Sequence, residues 1–327
     1  MSTAPAVTSP KPALSTSNNL LICTACGAQY DVEEKNAATL SECRICEDPR
    51  QFIPETGQTF TTLANLRASD KKYRNVFEPC ASGQNENVLE VWTEPKFGIG
   101  QRACLIQTPH GNVLWDLVAF LDQETVDKIT ELGGLKCIII SHPHFYTTWA
   151  DWSATFHCPV YMTEVDSVWA NRKDGTKTST LKLLTQPTTE LLPGLTAVIC
   201  GGHFPGSLVL HSAPPNTSLP TLFVADTIFA VASAKNPNPG KRRDTISYQF
   251  LWSIPNMIPL PPDTVLQIWK ALKPFEFKAT YGVMAKISNV FEKPGQTLSL
   301  KERVLQSAKI AVKAMGYSEH SILAEQL

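Results

Sequence analysis

Along most of the chain the apolar residues come in short runs closed by glycine, proline or asparagine, the pattern of a sheet-rich fold. "NVLEVWTEP" and "RACLIQTPHGNVLWDL" alternate or run continuously apolar, predicting strands joined through a Gly-Asn turn. In "DQETVDKITELGG" the apolar spacing changes to three and four and stops at a double glycine, which predicts a helix. "LKCIIISH" reads as a buried strand, "TTWADWSATFH" as a helix, "CPVYMTE" as a strand and "VDSVWANRK" as another helix. Strands are predicted again in "TELLPGLTAVICGG", "GSLVLHSA", "TLFVADTIFA" and "FKATYG", with helices in "DTVLQIWKALKPF" and "SLKERVLQSAKIAVKAMG". The strands thus fall into two groups, each followed by helices. That order predicts an α/β fold of two sheets packed face to face with helices outside, rather than one doubly wound sheet.

The first nineteen residues lack this pattern. They are rich in Ser, Thr, Ala and Pro, and 1–19 is read as a disordered tail. Residues 20–75 form a short cysteine-bearing segment, and 76–327 the main domain. The 327 residues carry 29 basic against 30 acidic side chains, so no basic surface for nucleic acid or an anionic membrane is expected. No apolar run reaches the length of a membrane span. "PNPGKRRD" reads as a basic surface loop, too small to make a nucleic-acid groove.

Four of the nine cysteines stand in two CxxC pairs, Cys23/Cys26 and Cys43/Cys46, sixteen residues apart. Each pair folds a tight knuckle that aims two sulfurs at one point, and two knuckles complete a tetrahedral thiolate shell for a structural metal, zinc or, less often, a single iron. So short a segment has little core of its own, so the metal supplies much of its folding energy. Unpaired thiolates of this kind point to a reducing, cytoplasmic setting.

The strand "CIIIS" ends in His142 and His144, with Pro143 between them. Alternate residues of an extended chain share a face, so the two imidazoles are expected to point the same way, with the proline fixing the geometry. His203 lies in the glycine-flanked turn "GGHFPGS", and Asp226 closes the apolar run "TLFVAD", where a carboxylate is costly unless paired or bound to metal. Three histidines and an aspartate at strand ends together predict one divalent ion.

In this order "LIQTPHGNVLWD", "ISHPHFYTT", "GGHFPGS" and "LFVADTIF" resemble the metallo-β-lactamase superfamily. The cysteine segment, "CEDPRQF", "GQTFTTL" and "WSIPNMIPLPP" are similar to a branch of it that carries an N-terminal rubredoxin-like zinc segment. The resemblance implies an αββα metallo-β-lactamase sandwich preceded by a small four-cysteine zinc-knuckle segment. It implies metal-ligand roles for His142, His144, His203 and Asp226, and a site-supporting role for Asp116. The chain departs from the superfamily's HxHxDH pattern. Tyr146 stands at the aspartate position and Thr147 at the last histidine position, and the late histidine is missing where Tyr281 and Gly282 stand. The second metal position has therefore lost three ligands.

The expected function is hydrolysis of a small ester, thioester, lactone or amide through a single metal-bound hydroxide on zinc, with Asp226 as the base. Tyr146 is either an oxyanion donor or a packing aromatic. Phe145, Trp149, Trp252 and Tyr281 are taken as walls of the substrate pocket, and Thr147 as site-supporting. The alternatives are a mononuclear-iron oxygenase resembling persulfide dioxygenases, or a non-catalytic metal-binding protein. The expected partner is a small-molecule substrate; oligomeric state is left open.

Overall fold

The computed structural model describes residues 12–80, 83, 85–172, 180–235, 245–285 and 287–327. The first eleven residues of the expected tail and the basic loop at 237–244 lie outside the described residues. From Leu14 on, the tail stretch is docked rather than free. Its backbone N–H groups at Leu14, Ser15 and Ser17 donate to Gln123, Thr155 and Asp151 at 3.1, 3.1 and 2.9 Å.

Three short strands come first: β1 (Leu20–Cys23), β2 (Gln29–Glu33) and β3 (Phe60–Thr61), with a one-turn helix α1 (Arg44–Glu47) between the last two. After α2 (Leu63–Ala68) the first large sheet begins. Its seven strands are β4 (Arg74–Pro79), β5 (Val88–Glu94), β6 (Arg102–Ile106), β7 (Val113–Trp115), β8 (Cys137–Ile139), β9 (Pro159–Thr163) and β10 (Thr180–Leu184). They lie side by side in chain order, antiparallel as far as β7 and parallel from there. Parallel neighbours need crossovers. Helix α3 (Gln123–Glu131) supplies the one after β7 and α4 (Trp149–Phe156) the one after β8.

The second sheet starts with β11 (Thr188–Leu192), β12 (Leu195–Ile199), β13 (Leu208–Ser212) and β14 (Thr221–Ala225). Two small ribbons follow, β15 (Phe229–Ala230) with β16 (Tyr248–Gln249) and β17 (Leu251–Ser253) with β18 (Ile258–Pro259). After α5 (Pro262–Leu272), strands β19 (Ala279–Gly282) and β20 (Asn289–Phe291) complete the sheet in the order β11-β12-β13-β14-β19-β20. Helix α6 (Leu300–Ala314) closes the fold, its start fixed by a capping box between Ser299 and Glu302.

Three hydrophobic layers hold the sandwich. Between the sheets, Val88, Ile106, Trp115 and Ile139 of the first meet Leu208, Leu210, Phe223 and Tyr281 of the second. Outside the first sheet, Leu114, Ile138 and Val160 pack under Val126, Ile129 and Trp152 of α3 and α4. Outside the second, Val198, Leu222 and Val224 pack under Ile268, Trp269, Val304 and Ala308 of α5 and α6. Each fully buried aliphatic side chain contributes about 1.5–3 kcal/mol. A strand covered on both faces cannot alternate apolar with polar residues, so "TLFVA" is buried throughout. This is the αββα arrangement that the strand grouping predicted. One predicted helix is absent: "VDSVWANRK" yields only a single 3₁₀ turn, Ser167–Trp169. Val165 and Val168 stay exposed there, so no apolar face repays the ordering of a longer helix.

Candidate metal centre and cavity

Strands β8, β12 and β14 all end at the same edge of the sandwich. His142 follows β8, His203 follows β12 and Asp226 follows β14. Convergence of the first two histidines is achieved differently from the sequence expectation. His142 is extended, but Pro143–Phe145 form a 3₁₀ turn, so the chain does not continue as a strand through His144. The proline occupies the first helical position, where its fixed φ suits a helix start. His142 therefore presents Nε2 and His144 presents Nδ1, 3.3 Å apart.

His203 Nε2 is 3.2 Å from His144 Nδ1, and Asp226 Oδ2 is 3.2 Å from His142 Nε2. The four donor atoms lie within 4.8 Å of one another, and all four residues are buried. Around a zinc ion with metal–nitrogen bonds of about 2.0–2.1 Å, tetrahedral nitrogens stand roughly 3.3 Å apart. The observed separations match that, so the residues present fit a single divalent ion. Asp226 is farther from His203 (3.7 Å) and His144 (4.0 Å), which leaves the cluster open on that side.

Outer contacts hold two of the rings, while the outer Nε2 of His144 is buried without a protein partner. His142 Nδ1 pairs with Ser141 Oγ at 2.8 Å, and His203 Nδ1 faces the Leu251 carbonyl at 3.4 Å. These outer contacts leave the Nε2 lone pairs facing inward. Phe204 lies against all three imidazoles, with centroids 5.0–5.7 Å away. Burial pushes the His144 pKa down to about 4 and that of His203 well below its usual value. Burial raises the Asp226 carboxyl, but hydrogen bonding to His142 and His144 outweighs it and holds the group below the ordinary carboxylate range. Neutral imidazoles at His144 and His203 beside an ionised carboxylate suit a cation. Asp116 stands behind the cluster at the end of β7. Its Oδ1 accepts the Ser141 N–H at 2.7 Å, and burial raises its pKa to about 7.

A cavity of about 410 Å³ reaches Asp226 from the open side. Apolar groups including Phe52, Phe145, Phe229, Ile254, Met284 and Ile287 dominate its wall, with Gln51, Gln101 and Lys96 as polar points. Of the four residues expected to wall the pocket, only Phe145 does so. Tyr281 is turned into the layer between the sheets, where its ring stacks on Phe223 with centroids 5.0 Å apart. Trp252 packs outside the second sheet and against Arg50. Trp149 and Tyr146 line a separate small recess with Gln29, Ile45, Thr147 and Trp169. Successive residues of a tight helical turn point about 120° apart, so Phe145 and Tyr146 cannot both face the centre. Tyr146 lines that recess rather than the cavity, with its hydroxyl buried and without a protein partner. Thr147 adopts a positive φ and its carbonyl accepts Gln29 N–H at 3.2 Å.

Gln51, Gln101, Ser141 and Phe204 are site neighbours that the sequence reading did not single out. Gln51 and Gln101 carried no signal, because nothing in "DPRQF" or "GIGQRA" marks an inward amide. Phe204 sits beside His203, where its role depends on the fold of the turn.

The second cluster lies near the N-terminus. Cys23 and Cys46 sulfurs are 3.7 Å apart, those of Cys26 and Cys43 3.5 Å. Tetrahedral sulfurs at about 2.3 Å from zinc stand roughly 3.8 Å apart. All four thiols are buried and fit one ion. Among the described residues these are the two groups of His, Cys or acidic side chains close enough to share an ion, and no helix is long and apolar enough to cross a membrane.

No model of a known protein family matches the chain. It is 37% identical over 268 residues to the uncharacterized protein YmaE of Bacillus subtilis, a match covering 81% of this chain and 89% of YmaE. Among solved structures, the metallo-β-lactamase FIM-1 from Pseudomonas aeruginosa, in its mono-zinc form, aligns over 73% of this chain and 96% of its own. That alignment has 13% identity and a TM-score of 0.45. VMB-1 aligns over 76% of this chain and 100% of its own, with 15% identity and a TM-score of 0.47.

Proposed function

The chain belongs to the family of the Bacillus subtilis protein YmaE and has the αββα sandwich of the metallo-β-lactamase superfamily, and from that premise we propose a one-metal hydrolase acting on an apolar acyl ester, thioester, lactone or amide. The observation that carries this reading is the convergence of His142, His144, His203 and Asp226 on one point, open towards an apolar cavity of about 410 Å³. A small cavity with few polar points suits a small, partly apolar substrate.

Zinc suits both donor sets, three imidazoles with a carboxylate and four thiolates. Bound by His142, His144, His203 and Asp226, an ion would polarise a carbonyl oxygen and lower the pKa of a water towards neutrality. The chain's own residues do the rest. Asp226 Oδ1 is buried and has no protein partner. It accepts the proton of the attacking water and returns it to the leaving group. Phe145, Phe229 and Met284 exclude bulk water from the acyl chain. Iron oxygenases of the two-histidine, one-carboxylate type keep several open positions; a third imidazole 3.2 Å from His144 takes up one of these, which favours hydrolysis.

The test is metal analysis of protein purified without added metal, followed by a panel of acyl esters, thioesters, lactones and amides. Two ions per chain are expected, one of them lost in His142→Ala together with all turnover. A wild-type protein with an empty histidine cluster, or with oxygen uptake on a persulfide and no hydrolysis, overturns the reading.

A further inference from the structure

Gln51 stands at the junction of the cysteine segment and the histidine cluster. Its Nε2 lies 3.2 Å from Nδ1 of His144, the nitrogen that faces the cluster. The residue is 9% exposed and shares the cavity wall with Asp226. It therefore sits where the cluster is open.

We propose that Gln51 is a catalytic residue: its carboxamide donates a hydrogen bond to the oxygen atom seated at the open side of the His142–His144–His203–Asp226 cluster, so that the cysteine segment supplies part of the reaction centre. The proposal rests on the function given above and deepens it.

The backbone that delivers Gln51 is held on several sides. Gln51 N donates to Asp48 O at 2.8 Å, and Asn256 Nδ2 donates to Pro49 O and Gln51 O at 3.1 and 3.3 Å. Ser253 Oγ donates to Arg50 O at 3.1 Å. Arg50 Nη1 donates to both carboxylate oxygens of Asp48 at 2.8–2.9 Å, and the guanidinium lies 4.3 Å from the centroid of Phe204, the ring that also supports the three imidazoles. The amide thus arrives on a fixed stretch of chain. A donor already in place stabilises charge as it develops without reorganising. Asp226 is acceptor-only when ionised, so it takes a proton but cannot stabilise a developing oxyanion. With the inward lone pair of His144 committed to the cluster, the N–H groups of Gln51 are left for an oxygen there: water before substrate arrives, the acyl oxygen afterwards.

The test uses the full chain with cobalt in place of the native metal and acetohydroxamate as an oxyanion probe. Gln51→Leu is expected to keep the cobalt content, the ligand-free cobalt spectrum and the melting temperature. It should bind acetohydroxamate about tenfold more weakly, the loss of one hydrogen bond to a charged group. It should also lower kcat more than it raises KM on the best ester. Gln51→Asn, whose amide falls one methylene short, is expected to show the same loss and serves if the leucine variant does not fold. Unchanged probe affinity overturns the proposal. So does a ligand-free cobalt spectrum altered in band position and intensity, which would make Gln51 a metal ligand, and so does failure of both variants to fold, which would make it structural. If wild-type protein holds no cobalt in the cluster, the proposed function falls as well; equal binding by wild type and variant sinks only the role of Gln51.

Discussion

Asp116 offers the sharpest test of how the histidine cluster is held. The residue sits just past β7 with φ of 62°, a left-handed conformation that aspartate and asparagine tolerate better than alanine. Its N–H donates to Ile139 O at 2.8 Å and its Oδ1 accepts Ser141 N–H at 2.7 Å. One residue therefore ties the end of β7 to the end of β8, directly before His142. In Asp116→Ala the buried Ser141 N–H loses its acceptor, at a cost of about 1–3 kcal/mol. The left-handed backbone adds roughly 1 kcal/mol. The sum, about 2–4 kcal/mol, predicts a fall in melting temperature of roughly 3–6 °C for a chain of this size. Ser141 Oγ also orients the His142 ring, so metal affinity should drop about 10–100-fold. Asp116→Asn keeps both the acceptor oxygen and the backbone tolerance, and should stay within about 1 °C of wild type. Differential scanning calorimetry and a competitive zinc titration measure the two effects. If alanine is as harmless as asparagine, the hydrogen bond to Ser141 does not hold the site. If asparagine is as harmful as alanine, the charge matters rather than the acceptor, and the reasoning fails.

Three other perturbations have defined outcomes. Gly206→Ala places a Cβ 2.1 Å from Thr163 Oγ1 and 2.8 Å from Asp166 Oδ2, so it must displace the turn that carries His203; metal binding at the cluster should weaken at least tenfold while far-UV circular dichroism stays unchanged. Cys43→Ser removes one thiolate of the four, and limited proteolysis should then cut within residues 20–62 while the sandwich remains protected. His211 has its pKa lowered by burial, so the folded state resists the proton that the unfolded chain accepts; stability is lost as pH falls below about 6.5, and His211→Gln should show a shallower loss of urea midpoint on acidification.

The sequence was most legible where chemistry and strand position coincide. His142, His203 and Asp226 each follow an apolar run, and three strand ends at one edge of a sandwich bring such residues together whatever the details of the loops. The two CxxC pairs were equally readable, since four thiolates at that spacing have few uses. The pocket was not. Tyr281 lies in "ATYG", buried along its whole length, and periodicity cannot say which covered face a side chain takes when both are apolar. Trp149 as a pocket wall and Tyr146 as either an oxyanion donor or a packing aromatic are expectations that rest on nearness to His144 in sequence. A 3₁₀ turn then sent Phe145 one way and Tyr146 the other. Gln51 escaped notice because its position depends on how the cysteine segment docks, a tertiary fact with no local signature.

That docking takes up the two positions, Tyr146 and Thr147, at which the sequence departs from the HxHxDH pattern. Tyr146 and Thr147 stand where two ligands of a second ion would be expected. In the fold they face the cysteine segment instead. Tyr146 lines a small recess with Ala28, Gln29 and Ile45, and Thr147 O accepts the Gln29 N–H. Gln101 Nε2 donates both to Cys26 O at 2.6 Å and to His144 O at 3.1 Å, joining the first knuckle to the turn that carries a histidine of the cluster. Gln29 reaches further, donating to Asp151 at 2.9 Å and accepting from Arg172. An aspartate and a histidine at 146 and 147 would put two polar groups into a recess closed by Trp149 and Trp169, where each would need a partner or a charge. A tyrosine and a threonine fill it instead. Both positions form part of the seat of the cysteine segment, and the same segment brings Gln51 to the histidine cluster. Restoring Tyr146→Asp and Thr147→His together should therefore not create a second metal site. It should loosen the segment, and a metal count that stays at two per chain with faster cleavage within residues 20–62 is the expected result. A count of three with the segment still protected would show that the two arrangements are compatible, and that docking is not the reason the ligands were lost.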